Sequence, residues 1–171
     1  MARTSLITQY MTAPLPSVAA QKRMPFRPTL QETTALYRSI NKHVFDNELT
    51  MPELHLGTLR KTWGVCIWES TLQKRASHGK PGTWCKISLM DKWFCPQWFC
   101  TTLAHEMVHQ YQWDVYRWEH LSTTGKQMFT GSAAHGPSFF AWHGLLSTYG
   151  IDLKTSHGMR RWFKYQDFNR C

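Results

Sequence analysis

"TTLAHEMVHQYQW", residues 101–113, sets two histidines four residues apart, with a glutamate directly after the first, in a run whose other residues favour a helix. Four residues carry an α-helix one turn plus about 40°, so His105 and His109 stack on nearly one face and Glu106 stands about 60° beyond His109. Two imidazoles in that register can hold one metal ion while the carboxylate stands beside it. Leu103, Ala104, Met107, Val108 and Tyr111 fall on the other side of the helix, which predicts a core face separate from the ligand face.

A catalytic zinc usually takes three protein ligands and leaves one position open, so a third ligand is expected outside this helix. A glycine three residues after the second histidine, followed by a further histidine, is one familiar source; Gln112 stands where that glycine would fall. His135, in "GSAAHGPSFF", is the leading candidate. It precedes Gly136 and Pro137 at the mouth of a helix, and the 25 residues between His109 and His135 can form a loop that returns to the site. Glu119 and His120 are rivals, closer in sequence but in a less defined segment, and a two-histidine or nonmetal arrangement is the third option.

The surrounding sequence predicts an α+β fold. "LQETTALYRSINKHVFDNEL" places Leu36, Tyr37, Ile40 and Val44 on one stripe, giving an amphipathic helix over residues 31–46 that Asn47 and Pro52 end. Three short runs, "ELHLG", "WGVCIWE" and "WCKISLM", have period-two character and read as three strands of a small sheet. Gly79, Pro81 and Gly82 supply turn chemistry between the second and third strands. The motif helix then starts near Pro96, and a polar connection leads to a final helix in "HGPSFFAWHGLLSTYG", with Pro137 at its first position and Gly150 at its stop. A chain of 171 residues suits one domain, placed at residues 30–171. Residues 1–29, with four prolines and no sustained pattern, read as an extended basic arm.

The net charge of +9 is uneven. Arg3, Lys22, Arg23 and Arg27 sit among the first thirty residues with no acid, Lys74, Arg75 and Lys80 sit in one internal loop, and Arg160, Arg161 and Lys164 sit near the end. Such outlying patches attract DNA or RNA through phosphate contacts and counterion release, and serve solubility equally well. In the basic tail, Trp162, Phe163, Tyr165 and Phe168 interleave with the cations, a composition suited to stacking on bases or to packing on the core. No apolar run approaches bilayer length, so no membrane partner is expected, and the start lacks the apolar centre of a secretory signal. The five cysteines, Cys66, Cys85, Cys95, Cys100 and Cys171, include no second close pair beside Cys95 and Cys100. That argues for reduced thiols in an intracellular setting and against a four-cysteine zinc module.

The pairing of "LAHEMVHQYQ" with a polar loop and then "HGPSFFAW" resembles the SprT-like family of zinc metallopeptidases over roughly residues 30–150. The resemblance implies a zincin-like fold, Zn2+ held by His105, His109 and His135, Glu106 as the catalytic base, and hydrolysis of peptide bonds in protein substrates associated with DNA. Several family members also carry a C-terminal four-cysteine zinc ribbon, which this sequence lacks. Asp114 or Glu119 is expected to orient a ligand imidazole or to make a surface ion pair; the sequence assigns no oxyanion-stabilising group, since Tyr111 lies on the presumed core face and Tyr116, His120 and His143 are unplaced. Two alternatives stand beside the protease reading: a nucleic-acid-binding or assembly protein whose zinc is structural, and a metal hydrolase of a nonpeptide bond.

Overall fold

The most buried of the described strands, Cys85–Met90, takes the centre of the sheet. All of its side chains except Lys86 are buried, and a strand with no face for solvent must have neighbours on both edges. The computed structural model describes residues 5–21, 23–68, 85–116 and 134–155. In chain order its elements are α1 (Leu6–Met11), α2 (Val18–Gln21), α3 (Leu30–Val44), β1 (Glu53–Gly57), β2 (Gly64–Trp68), β3 (Cys85–Met90), α4 (Pro96–Tyr111), a π-helical turn (Gln112–Tyr116), α5 (Pro137–Phe140) and α6 (His143–Ser147). β3 pairs in parallel with β1, setting Leu54 against Ile87 and Leu56 against Leu89, and antiparallel with β2, setting Gly64 against Leu89 and Cys66 against Ile87. The sheet order is therefore β1-β3-β2, and the fold is α+β as its pattern predicts.

α3 has chemical stops at both ends. Thr29 accepts a hydrogen bond from the Glu32 backbone N–H at 3.1 Å, and the Glu32 carboxylate accepts one from the Thr29 N–H at 2.7 Å, a reciprocal capping box. At the other end Asp46 and Asn47 take positive φ (53° and 62°), a conformation their short polar side chains tolerate better than most. Asn41 secures the exit: its amide donates to the Leu49 carbonyl at 2.9 Å and its oxygen accepts from the Leu49 N–H at 3.2 Å. The helix ends at Val44, two residues earlier than the periodicity predicts, because these αL residues turn the chain away.

Two expectations change. The described residues before Leu30 are not one extended arm: Ser5 caps α1 through the Thr8 N–H, Ile7 is fully buried, and Phe26 exchanges backbone hydrogen bonds with Trp93. Leu6, Ile7, Tyr10 and Met11 make one apolar stripe, but six residues are too few for periodicity to announce a helix. The single final helix is in fact two, α5 and α6, divided by a turn at residues 141–142, and Gly150 takes the positive φ of 81° that closes the segment. The loop carrying Lys74, Arg75 and Lys80 and the tail carrying Arg160, Arg161 and Lys164 lie outside the described residues, as do Glu119 and His120.

Because Ile7 packs into the same core as Leu36, Ile40 and Phe99, Ile7→Ala should cost about 2–4 kcal/mol. Denaturant unfolding of the full chain measures this, and a change below about 0.5 kcal/mol, the level of a surface substitution, would mean that the N-terminal helix is not docked.

Candidate metal centre

α4 carries the motif through the middle of the protein. Every residue of this helix except Pro96 and His109 is buried, including His105 and Glu106, so the predicted division into a core face and a ligand face does not hold. A helix enclosed on all sides needs partners for its polar groups. Gln97 donates to the Ala13 carbonyl. Gln110 donates to the Thr50 carbonyl at 2.6 Å and to Asp114 Oδ2 at 2.9 Å, and its Oε1 accepts from the Tyr37 hydroxyl at 2.9 Å.

His105 and His109 project from successive turns, and a short turn ahead of α5 brings His135 to them. The three Nε2 atoms form a nearly equilateral triangle: 3.1 Å between His105 and His109, 3.2 Å between His109 and His135, and 3.2 Å between His135 and His105. These three residues are positioned to bind a metal ion. Beneath them lies Phe139, fully buried, with its ring centroid 4.8 Å from His105, 4.9 Å from His109 and 4.8 Å from His135. Phe139 follows His135 by four residues, so the packing of α5 fixes where the third imidazole stands.

The protonation state of His109 follows from its neighbour. Gln112 Nε2 lies 3.0 Å from the Ala134 carbonyl and 3.0 Å from Ser138 Oγ, while Gln112 Oε1 lies 2.9 Å from His109 Nδ1. A carbonyl only accepts, so the amide nitrogen must face Ala134 and the amide oxygen must face the imidazole. Nδ1 therefore carries the proton, and Nε2 presents its lone pair to the centre. Burial lowers the His109 pKa to about 4 and lowers that of His135, which keeps both in the neutral, ligating form near pH 7.

Glu106 is held against β2. Its carboxyl accepts a hydrogen bond from the Cys66 backbone, yet burial dominates and pushes its pKa up to about 8. Only a glycine lets it sit there: a Cβ on Gly64 would come within 2.9 Å of Glu106 Oε1 and 2.9 Å of Thr102 Cγ2.

Of the residues singled out by sequence, His105, His109 and His135 converge. Asp114 is buried and takes Gln110 and Thr50 on Oδ2. Gln112, three residues after His109, is the group that orients an imidazole; that spacing places the two on neighbouring positions of one helical surface, the signal that could have found it. Tyr111 donates to Glu48 at 2.6 Å and stacks on Phe45, Tyr116 packs edge-on against Tyr111, and His143 lies at the surface beside Asp152. Neither the family models nor the curated proteins compared with this chain match it.

Gln112→Leu removes both the acceptor for His109 and the tie to the third-ligand segment while leaving all three histidines. Divalent-metal affinity should fall about 10–100-fold, read by chelator competition; unchanged affinity would show that the triangle needs no such support.

Proposed function

We propose that the protein is a zinc-dependent endopeptidase of SprT-like type, acting on proteins associated with DNA. The observation that carries this reading is the histidine triangle with a buried glutamate on the same helix. A tetrahedral zinc with Zn–N distances near 2.1 Å requires ligand nitrogens about 3.3–3.4 Å apart, and the observed separations of 3.1–3.2 Å fit that requirement closely. The donor set fits as well: three imidazoles are one of the ligand sets found in open, catalytic zinc sites, whereas structural sites are closed by four protein ligands.

His105, His109 and His135 would hold the ion. Zinc, when bound, supplies Lewis acidity towards a water molecule and a carbonyl group. Glu106 takes the proton of the attacking water and returns it to the leaving amine, a task suited to a carboxyl whose burial has moved it into the neutral range, to about 8. Gly64 leaves that carboxyl its place against β2. The Gln112 bridge keeps His109 in its ligating tautomer, and Phe139 keeps the imidazoles from turning away.

Support for the substrate class comes from the sequence. The similarity of "LAHEMVHQYQ" and "HGPSFFAW" to the SprT-like pattern favours peptide hydrolysis, and the basic stretches at Lys74, Arg75 and Lys80 and at Arg160, Arg161 and Lys164 favour a polyanion nearby.

Glu106→Gln should retain zinc at one equivalent by mass spectrometry and lose at least about 100-fold in cleavage of a DNA-bound basic protein. His135→Ala should lose the zinc itself. Full cleavage by Glu106→Gln would sink the peptidase reading, and cleavage absent from the zinc-loaded wild type, alongside salt-sensitive DNA binding, would establish the structural-zinc alternative.

A further inference from the structure

The strand that seats Glu106 also carries one of a pair of thiols, whose partner stands on the neighbouring strand. Cys66 on β2 lies opposite Ile87, and Cys85 on β3 lies opposite Trp68, so the two cysteines are diagonal neighbours on one face of an antiparallel pair. Their Sγ atoms are 3.3 Å apart. Both are free thiols, Cys85 buried and Cys66 only partly so. Cys95 and Cys100, by contrast, are fully buried. Neither Cys66 nor Cys85 belongs to the histidine cluster, so the chemistry of this thiol pair does not depend on the metal centre.

We propose that Cys66 and Cys85 form an oxidation site, a dithiol that closes to an intramolecular disulfide by exchange with a small-molecule disulfide such as oxidised glutathione. The placement sets the order of events. Cys66, the less buried residue of the two, gives its proton to solvent, attacks one sulfur of the small disulfide and expels the other as a thiolate. Cys85, already beside it, gives up its own proton and attacks the Cys66 sulfur in the mixed disulfide, expelling the second small thiolate. Two protein thiols thus lose two electrons and two protons, and the small disulfide is reduced to two thiols. The hydrogen bond with Cys85 and burial hold the Cys66 thiol well above its ordinary range, so the exchange is slow.

Closure has a structural consequence. The sulfurs must approach from 3.3 Å to about 2.05 Å, and β2 has little room to follow. Gly64 already lies so close to α4 that a single added methyl group would collide with Glu106 and Thr102, and the Cys66 backbone donates to the Glu106 carboxyl. Oxidation therefore acts on the strand that positions Glu106 and leaves the three histidine ligands chemically untouched.

The test uses the reduced, full-length protein incubated with excess oxidised glutathione over hours, followed by alkylation under denaturing conditions, digestion and mass spectrometry. The expected product is a peptide pair linked through Cys66 and Cys85, lighter by two hydrogens than the sum of its reduced parts and restored by dithiothreitol. Cys85→Ser should instead accumulate glutathione on Cys66. This second product needs only Cys66, so it separates failure to close from failure to react. Cys66 and Cys85 both remaining alkylatable, a wild-type protein that stops at the glutathione adduct, or a crosslink from either residue to Cys95, Cys100 or Cys171 would overturn the proposal.

Discussion

The structure depends on a single helix being buried on nearly every side. α4 packs against the sheet, against α1 and against α3, and the same sixteen residues supply a glutamate and two of the three histidines positioned to bind a metal ion. Burying those polar groups carries a desolvation cost that only specific partners can offset. The partners come from far along the chain: Tyr37 and Thr50 reach Gln110, and Ala13 reaches Gln97. The core is therefore also the support of the site, and neither can be rearranged without disturbing the other.

The same burial sets the chemistry. Desolvation lowers the pKa of His109 and raises that of Glu106, each towards its uncharged form. A neutral imidazole is a ligand, and a carboxyl at about 8 can exchange protons close to neutrality. Three ring nitrogens converging at 3.1–3.2 Å have no hydrogen-bond solution among themselves that suits all three, because each neutral ring has one proton and His109 uses its own on Gln112. Packing, above all that of Phe139, holds the nitrogens together, and a cation is the group that would satisfy their three lone pairs at once. Metal affinity and folding stability are in this sense drawn from one set of contacts.

Much of this is legible in the sequence, and the exceptions have physical causes. A period of 3.6 marks α3, and short runs of strand length, alternating in "ELHLG" and "WCKISLM" and wholly apolar in "GVCIW", mark the three strands. The histidine spacing marks α4, and the Gly-Pro step marks the turn that delivers His135. Strand order is not legible: nothing in "ELHLG" or "WCKISLM" says that the first strand pairs in parallel with the third. The near-complete burial of α4 is not legible either, since its polar residues look like a solvent face until their distant partners are known. Gln112 is inconspicuous because the position stands out for the glycine it lacks rather than for the amide it holds, and α1 because six residues cannot display a period.

The parallel pairing of β1 with β3 also bears on how the molecule comes into being. Glu53 faces Lys86 across a sequence separation of 33 residues, so this half of the sheet must wait for a long loop to close, an entropic toll that precedes any contact. β2 and β3 share the antiparallel edge and are linked more directly. Until β3 is in place, the sheet beneath α4 is incomplete, because β2 reaches β1 only through β3. His135 arrives later still on the emerging chain. A nascent polypeptide thus shows isolated imidazoles to its surroundings first and the three-nitrogen cluster last, once the architecture that controls it exists.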